Sequence, residues 1–187
     1  MHTDINIRWV HPEDAQDLLT IYGPIVLNTT VSFEVEVPSL QDFQQRIIDY
    51  SALSPWLVAE EKQVLVGYAY ATAHRSRKAY QWNQEVTVYI HKDHRQRGIA
   101  RLLYLKLFEV LRMMNYCKAI AVITLPNDMS IAFHRSMGFQ QMGEMKHVGF
   151  KHGRWCSTSW WDFNLKDDSH PPAELKSMIE IKKEGAL

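Results

Sequence analysis

The hydrophobic positions change period several times along the chain. Residues 5–10, INIRWV, alternate apolar and polar, the spacing of a half-buried strand. Pro12, Glu13 and Asp14 then supply the proline and acidic first turn with which helices begin. VSFEVEV, residues 31–37, alternates again and predicts a second strand, and from Ser39 the apolar positions recur at helical spacing behind a serine cap. PWLVAE and VLVGYAYATAH, separated by a polar break at residues 61–63, predict an antiparallel hairpin. EVTVYI, residues 85–90, predicts a further strand, and residues 98–114 a long helix. The continuous apolar run KAIAVITL reads as a buried strand. Asp128 is expected to cap a short helix that ends at Gly138. FQQMGEMKHVGF and RWCSTSWWDFNL then predict a closing hairpin around KHG. Beyond Leu165 the chain turns polar, with Pro171 and Pro172 ahead of a short helix, so residues 166–187 read as an extension to a main domain of residues 1–165.

This order, β-α-β-α, a run of strands, β-loop-α-β-α and a hairpin, places the chain in the α/β class. The expectation is one mixed sheet with helices on both faces and right-handed crossovers.

Composition narrows the function classes. A length of 187 residues suits one domain, and 21 basic against 21 acidic side chains leave no bulk field to draw nucleic acid or a membrane surface. No apolar run approaches the ~20 residues of a spanning helix, and MHTDINIRWV does not resemble a leader peptide. Cys117 and Cys156 lack motif spacing, which suits packing atoms in a reducing cytoplasm.

Against that neutrality, the connection after Ile90 is locally basic: His91, Lys92, His94, Arg95 and Arg97 lie just before the long helix. A helix N-terminus presents unpaired N–H groups and partial positive charge. The small residues Gly98 and Ala100 allow close backbone approach, and Arg95, Arg97 and Arg101 add charge, so RQRGIA reads as a phosphate-binding turn. The plain alternative is a tight turn with a solvated basic face. Neither G-x-x-x-x-G-K-[ST] nor G-x-G-x-x-G is present, which argues against an NTPase or a nicotinamide enzyme.

R-x-x-G-x-A at a strand-to-helix junction resembles the acyl-CoA loop of the GNAT superfamily of N-acetyltransferases. SPWLVAE, KAYQW, EVTVYI, AVITLPND and GFKHGRW, in that order, are similar to its phosphinothricin N-acetyltransferase branch. The resemblance implies a central, splayed, mostly antiparallel sheet flanked by helices, with acetyl-CoA as co-substrate and no metal. It implies that the backbone of Val88, Tyr89 and Ile90 lines the pantetheine arm. Gln96, Arg97, Gly98, Ile99, Ala100 and Arg101 would cradle the pyrophosphate, and Asn127 would bond the donor near its reactive end. The sheet would open beside TVYI, where β-bulges commonly make such gaps. Glu85 aligns with the family's base and His134 with a supporting acid or base. A backbone N–H of residues 88–90 would meet the oxyanion, and transfer would be direct, in a ternary complex, without a cysteine nucleophile. Tyr104 either protonates the leaving thiolate or packs beside the pantetheine.

For the acceptor, Arg75 and Arg77 offer forks suited to carboxylate, phosphinate or sulfone oxygens, with Tyr80 and Trp82 as aromatic walls, and the resemblance implies that Phe33 stands at the substrate mouth. The expected substrate is a small amino acid with a polar tetrahedral side chain, such as phosphinothricin, methionine sulfoximine or methionine sulfone. The competing readings are acetylation of a protein N-terminus or other amine, and a nucleic-acid-binding module built on residues 91–101. The latter is weakened by overall neutrality and the lack of a stacking platform. His91 with His94 lacks further ligands for a metal, and a turn at Gly153 accounts for His147 and His152. The aromatic strand RWCSTSWWDF suggests a homodimer.

Overall fold

A computed structural model describes residues 5–167 and 170–187. Seven strands form one sheet in the order β1-β2-β3-β4-β5-β7-β6: Ile5–Trp9 (β1), Trp56–Glu61 (β2), Val64–Ala73 (β3), Asn83–Ile90 (β4), Lys118–Leu125 (β5), Gln140–Lys151 (β6) and Arg154–Asn164 (β7). Every neighbouring pair is antiparallel except β4 with β5. The fold is the expected mixed α/β arrangement, a mostly antiparallel sheet flanked by helices.

Helices Ala15–Asn28 (α1) and Leu40–Leu53 (α2) cover one face, where Leu18, Tyr22, Phe43 and Ile47 meet Trp56, Val58 and Tyr68. The Ser39 cap is present: its side chain accepts from Asp42 N–H. On the other face lies Ile99–Met113 (α3), whose fully buried Leu103, Leu107 and Leu111 repeat every four residues against Val66, Ala69 and Ala119. Burying each of those leucines contributes roughly 2 kcal/mol. Asp128–Ser136 (α4) and Met178–Lys183 (α5) complete the helices.

Two expectations are corrected. Residues 31–37 form no strand; they run as a loop without a strand neighbour. Lys151 Nζ donates to Ser32 O at 2.8 Å, Thr124 Oγ1 to Val31 O at 3.4 Å, and the Phe33 ring lies over Gly149. Second, α4 is capped by Asn127, whose Oδ1 accepts from Ser130 N–H at 3.2 Å, while Asp128 is the first helical residue. Trp82, expected as an aromatic wall, also reaches the tail: its Nε1–H donates to Ala173 O at 2.9 Å.

That bond belongs to the seating of the tail. Asn115 also donates to Glu174 O, and Met178 and Ile181 join the α3 core at 3% and 0% exposure. The polar tail is therefore docked on the domain through a few apolar residues. The closing hairpin turns through His152 and Gly153, both at positive φ (49° and 71°), as a two-residue turn of matching twist requires. Of its aromatics, Trp161 is buried, whereas Trp155 is 61% exposed next to Phe150 of β6.

Candidate active site

The site begins where the sheet parts. β4 and β5 pair only over Asn83↔Lys118, Gln84↔Ala119 and Glu85↔Ile120. β4 nevertheless keeps unbroken register against β3 from Gln84 to Ile90. The opening thus comes from divergence of the one parallel pair, not from a bulge in β4. Residues 86–90 keep an edge with no strand partner on the β5 side.

A cleft of about 500 Å³ fills this opening. Val88, Tyr89 and Ile90 form one wall; Asn127, Met129, Ser130 and Phe133 form the opposite one; Gln96, Gly98, Ile99, Ala100 and Arg101 close the end, with Arg95 at the rim. Gly98 caps α3 at φ 79°, and a Cβ built there would meet nothing within 4 Å, so the space above it is open to a ligand. The first α3 hydrogen bond runs from Leu102 N–H to Gly98 O at 3.1 Å, which leaves the preceding amides without helical acceptors. Preformed donors and a positive helix end, with Arg95 at the rim and Arg101 reaching back to Ser136 O at 3.5 Å, make an anion cradle.

Arg97 is not in it. Its guanidinium grips Glu61 at 2.6 and 3.0 Å, with His94 Nδ1 3.2 Å from the same carboxylate. Arg97's hydrogen bonds hold the Glu61 carboxyl below its ordinary range. This cluster ties the loop to the end of β2, and the charge read as a ligand contact is structural. His91 likewise serves locally, accepting from Asp93 N–H.

His134 and Tyr104 lie behind the cleft wall rather than on it. The His134 ring is 5% exposed, with Nδ1 2.8 Å from Ser130 O and Nε2 3.1 Å from Tyr104 Oη. Since a carbonyl only accepts, the ring proton sits on Nδ1, and Nε2 accepts from the tyrosine hydroxyl. Burial lowers the His134 pKa, only partly offset by the Ser130 bond, and burial raises Tyr104 far above the usual phenol. Both are neutral and mutually satisfied.

Glu85 stands at the apex of the opening, partly exposed, with Oε1 2.8 Å from His74 Nδ1. His74 was not singled out from sequence. The β3–β4 register explains its place: Thr72 faces Glu85, and His74 lies two residues further along the same face. Arg75 donates to His74 Nε2 at 3.3 Å and lies 5.7 Å over the Tyr80 ring. Arg77 is exposed at the start of the turn that carries Tyr80, and Phe33 is 39% exposed on the loop whose Thr29 and Val31 reach the cleft.

Known proteins agree with this geometry. The acetyltransferase (GNAT) domain family matches residues 7–160. A phosphinothricin N-acetyltransferase of Streptomyces viridochromogenes is 31% identical over 95% of this chain and 96% of its own. An L-methionine sulfoximine/L-methionine sulfone acetyltransferase of Salmonella typhimurium is 30% identical, over 90% and 99%. Among solved structures, a phosphinothricin acetyltransferase from Sinorhizobium meliloti in complex with AcCoA superposes with a TM-score of 0.86 at 33% identity, covering 91% of this chain and 94% of that one. A ribosomal-protein-alanine N-acetyltransferase from Brucella melitensis gives 0.82 at 33% identity, over 85% and 99%. With the split sheet, the glycine-capped helix and a family match over most of its length, the chain belongs to the GNAT family of acetyltransferases.

Proposed function

We propose that the protein transfers acetyl from acetyl-CoA to the α-amino group of a small amino acid with a polar tetrahedral side chain, of the phosphinothricin or methionine sulfone type. The observation that carries the reading is the parting of β4 and β5 beyond Glu85, where the freed residues 88–90 of β4 line one cleft with the Gly98 cradle. The donor's diphosphate would rest on the α3 amides with Arg95 and Arg101 beside it, and its pantetheine would lie along the free edge of residues 86–90. Asn127, whose amide oxygen is engaged in capping α4, would offer its NH₂ to the same arm.

Glu85 is assigned as the base. The acceptor's amine nitrogen, freed of one proton by Glu85 directly or through water, forms the C–N bond at the thioester carbon. A backbone N–H of residues 88–90 would stabilise the oxyanion, and the C–S bond then breaks, the leaving thiolate taking up the remaining proton shed by the nitrogen to depart as the thiol. Arg75, Arg77, Tyr80 and Phe33 are assigned to the acceptor. His134 is assigned to support: it fixes Tyr104 and the α4 wall. Transfer is direct, and holding both substrates together supplies much of the rate.

The test is release of free thiol from acetyl-CoA with methionine sulfone, methionine sulfoximine and phosphinothricin, against other amino acids and an alanine-terminated peptide. Preferential turnover of the tetrahedral class supports the reading. Preference for the peptide would move the protein towards the N-terminal acetylation that the Brucella likeness favours.

We propose in addition a homodimer formed through the hairpin, where Met142, Phe150 and Trp155 leave large apolar side chains exposed. A monomeric mass in light scattering would refute it. Among the described residues no helix is long and apolar enough to cross a membrane. The free thiols of Cys117 and Cys156 suit the cytoplasm.

A further inference from the structure

We infer that His74 is a positioning residue for Glu85, joining the acceptor-side arginine to the base through one imidazole. The inference rests on the assignment of Glu85 above.

The argument is one of donors and acceptors. Arg75 Nε–H has only a proton to offer, and it points to His74 Nε2 at 3.3 Å. Nε2 must therefore carry the lone pair, so the proton of the neutral ring sits on Nδ1. From there it is donated to Glu85 Oε1 at 2.8 Å. The order Arg75→His74→Glu85 is the sole proton arrangement that satisfies both contacts with a neutral ring. It engages Oε1 and leaves Oε2 to face a substrate amine.

The ring is also held in place. Tyr80 and Trp160 meet it edge-on, each with centroids 6.0 Å away, and the His74 side chain is only 10% exposed against 35% for Glu85. A carboxylate on a strand otherwise turns about its side-chain torsions; a donor fixed by two aromatic walls removes that freedom. The link also gives Arg75 two tasks. An anionic group drawn to its fork would bear on the same residue that holds the imidazole's tautomer.

The other charged groups near Glu85 are Lys118 on β5 and Asp162 on β7, which pair with each other. Tyr80 adds a phenol beyond His74. His74 is thus the one titratable group bonded directly to Glu85 among the described contacts.

A purely structural His74 would serve by filling the space between Tyr80 and Trp160, and phenylalanine would do that as well. Three variants, His74→Phe, His74→Asn and Glu85→Gln, separate the roles when kcat and KM are measured with acetyl-CoA and methionine sulfone. His74→Phe is expected to lower kcat about tenfold, with KM for acetyl-CoA unchanged. His74→Asn, whose amide N–H can replace Nδ1–H, is expected to restore most of the lost kcat. Wild-type kcat in His74→Phe, or equal behaviour of the two variants, overturns the proposal. The ring ¹⁵N shifts of His74 in the free enzyme give a readout independent of turnover: protonated Nδ1 with bare Nε2 is expected, and the opposite tautomer overturns the proposal. If Glu85→Gln retains full turnover, it is the base assignment that fails; if that variant is inactive while His74→Phe keeps wild-type kcat, the base stands and the positioning role falls.

Discussion

Glu85 and Ile120 are the last partners of the parallel β4–β5 ladder, and beyond them the two strands separate. Glu85 therefore sits at the point of the wedge. Glu85→Gln is expected to lower kcat by 10²-fold or more, the usual weight of a general base, with little change in acetyl-CoA affinity. Steady-state kinetics with calorimetric binding checks both halves; wild-type turnover would remove Glu85 from the chemistry.

Arg97 supports the phosphate turn from behind, through Glu61. Arg97→Ala and Glu61→Ala are therefore expected to weaken acetyl-CoA binding to a similar, modest extent, because each breaks the same tether. An Arg97 that touched phosphate would behave differently, with Arg97→Ala costing far more than Glu61→Ala and the salt dependence of binding falling in Arg97→Ala alone. Dissociation constants of the two variants at two salt concentrations decide between them.

His134 makes stability depend on pH. Its folded pKa lies below the ordinary histidine value because burial penalises the imidazolium. The unfolded chain then takes up the proton first as pH falls, so the contribution is complete above about pH 6.5 and is lost below it towards the lowered folded value. The slope this one group can add is at most about 1.4 kcal/mol per pH unit. Urea midpoints at pH 7.5 and 5.5 are expected to fall further for the wild type than for His134→Asn, which has no proton to gain. Equal falls would contradict this.

Local chemistry was legible in the sequence and tertiary direction was not. Ser39 announces α2, the polar break at residues 61–63 announces the β2–β3 hairpin, and Gly98 announces both the start of α3 and the cradle above it. Each of these is written within a few residues. Residues 31–37 alternate like a strand, but alternation states only that one side is buried; here Lys151, Thr124 and Gly149 hold the segment as a loop. The neighbours of Arg97 in sequence suggest a ligand contact, whereas Glu61 engages its guanidinium from far along the chain. His74 escaped notice because its partnership with Glu85 depends on the exact register of two strands. The sign is present in the run AHRSR, where histidine directly precedes Arg75.

The tail shows a further limit of pattern reading, since a few apolar residues within a polar segment seat it on the core. Ile181 is fully buried in the α3 core and Met178 nearly so. Ile181→Ala is expected to cost about 2–4 kcal/mol through lost burial and the cavity left behind. Denaturant unfolding measures it; a change within about 0.5 kcal/mol, as for surface positions, would mean that the tail does not contribute to the fold in solution.

The central claim is that the glycine-capped start of α3 receives the diphosphate of the acyl donor. At Gly98 a side chain would both strain a backbone at φ 79° and occupy the open space above the helix amides. Calorimetric titration of acetyl-CoA into the wild type and Gly98→Trp, with thermal unfolding to confirm that the variant folds, tests it most directly. Loss of measurable binding in a folded variant is predicted. Wild-type affinity in that variant would contradict the account.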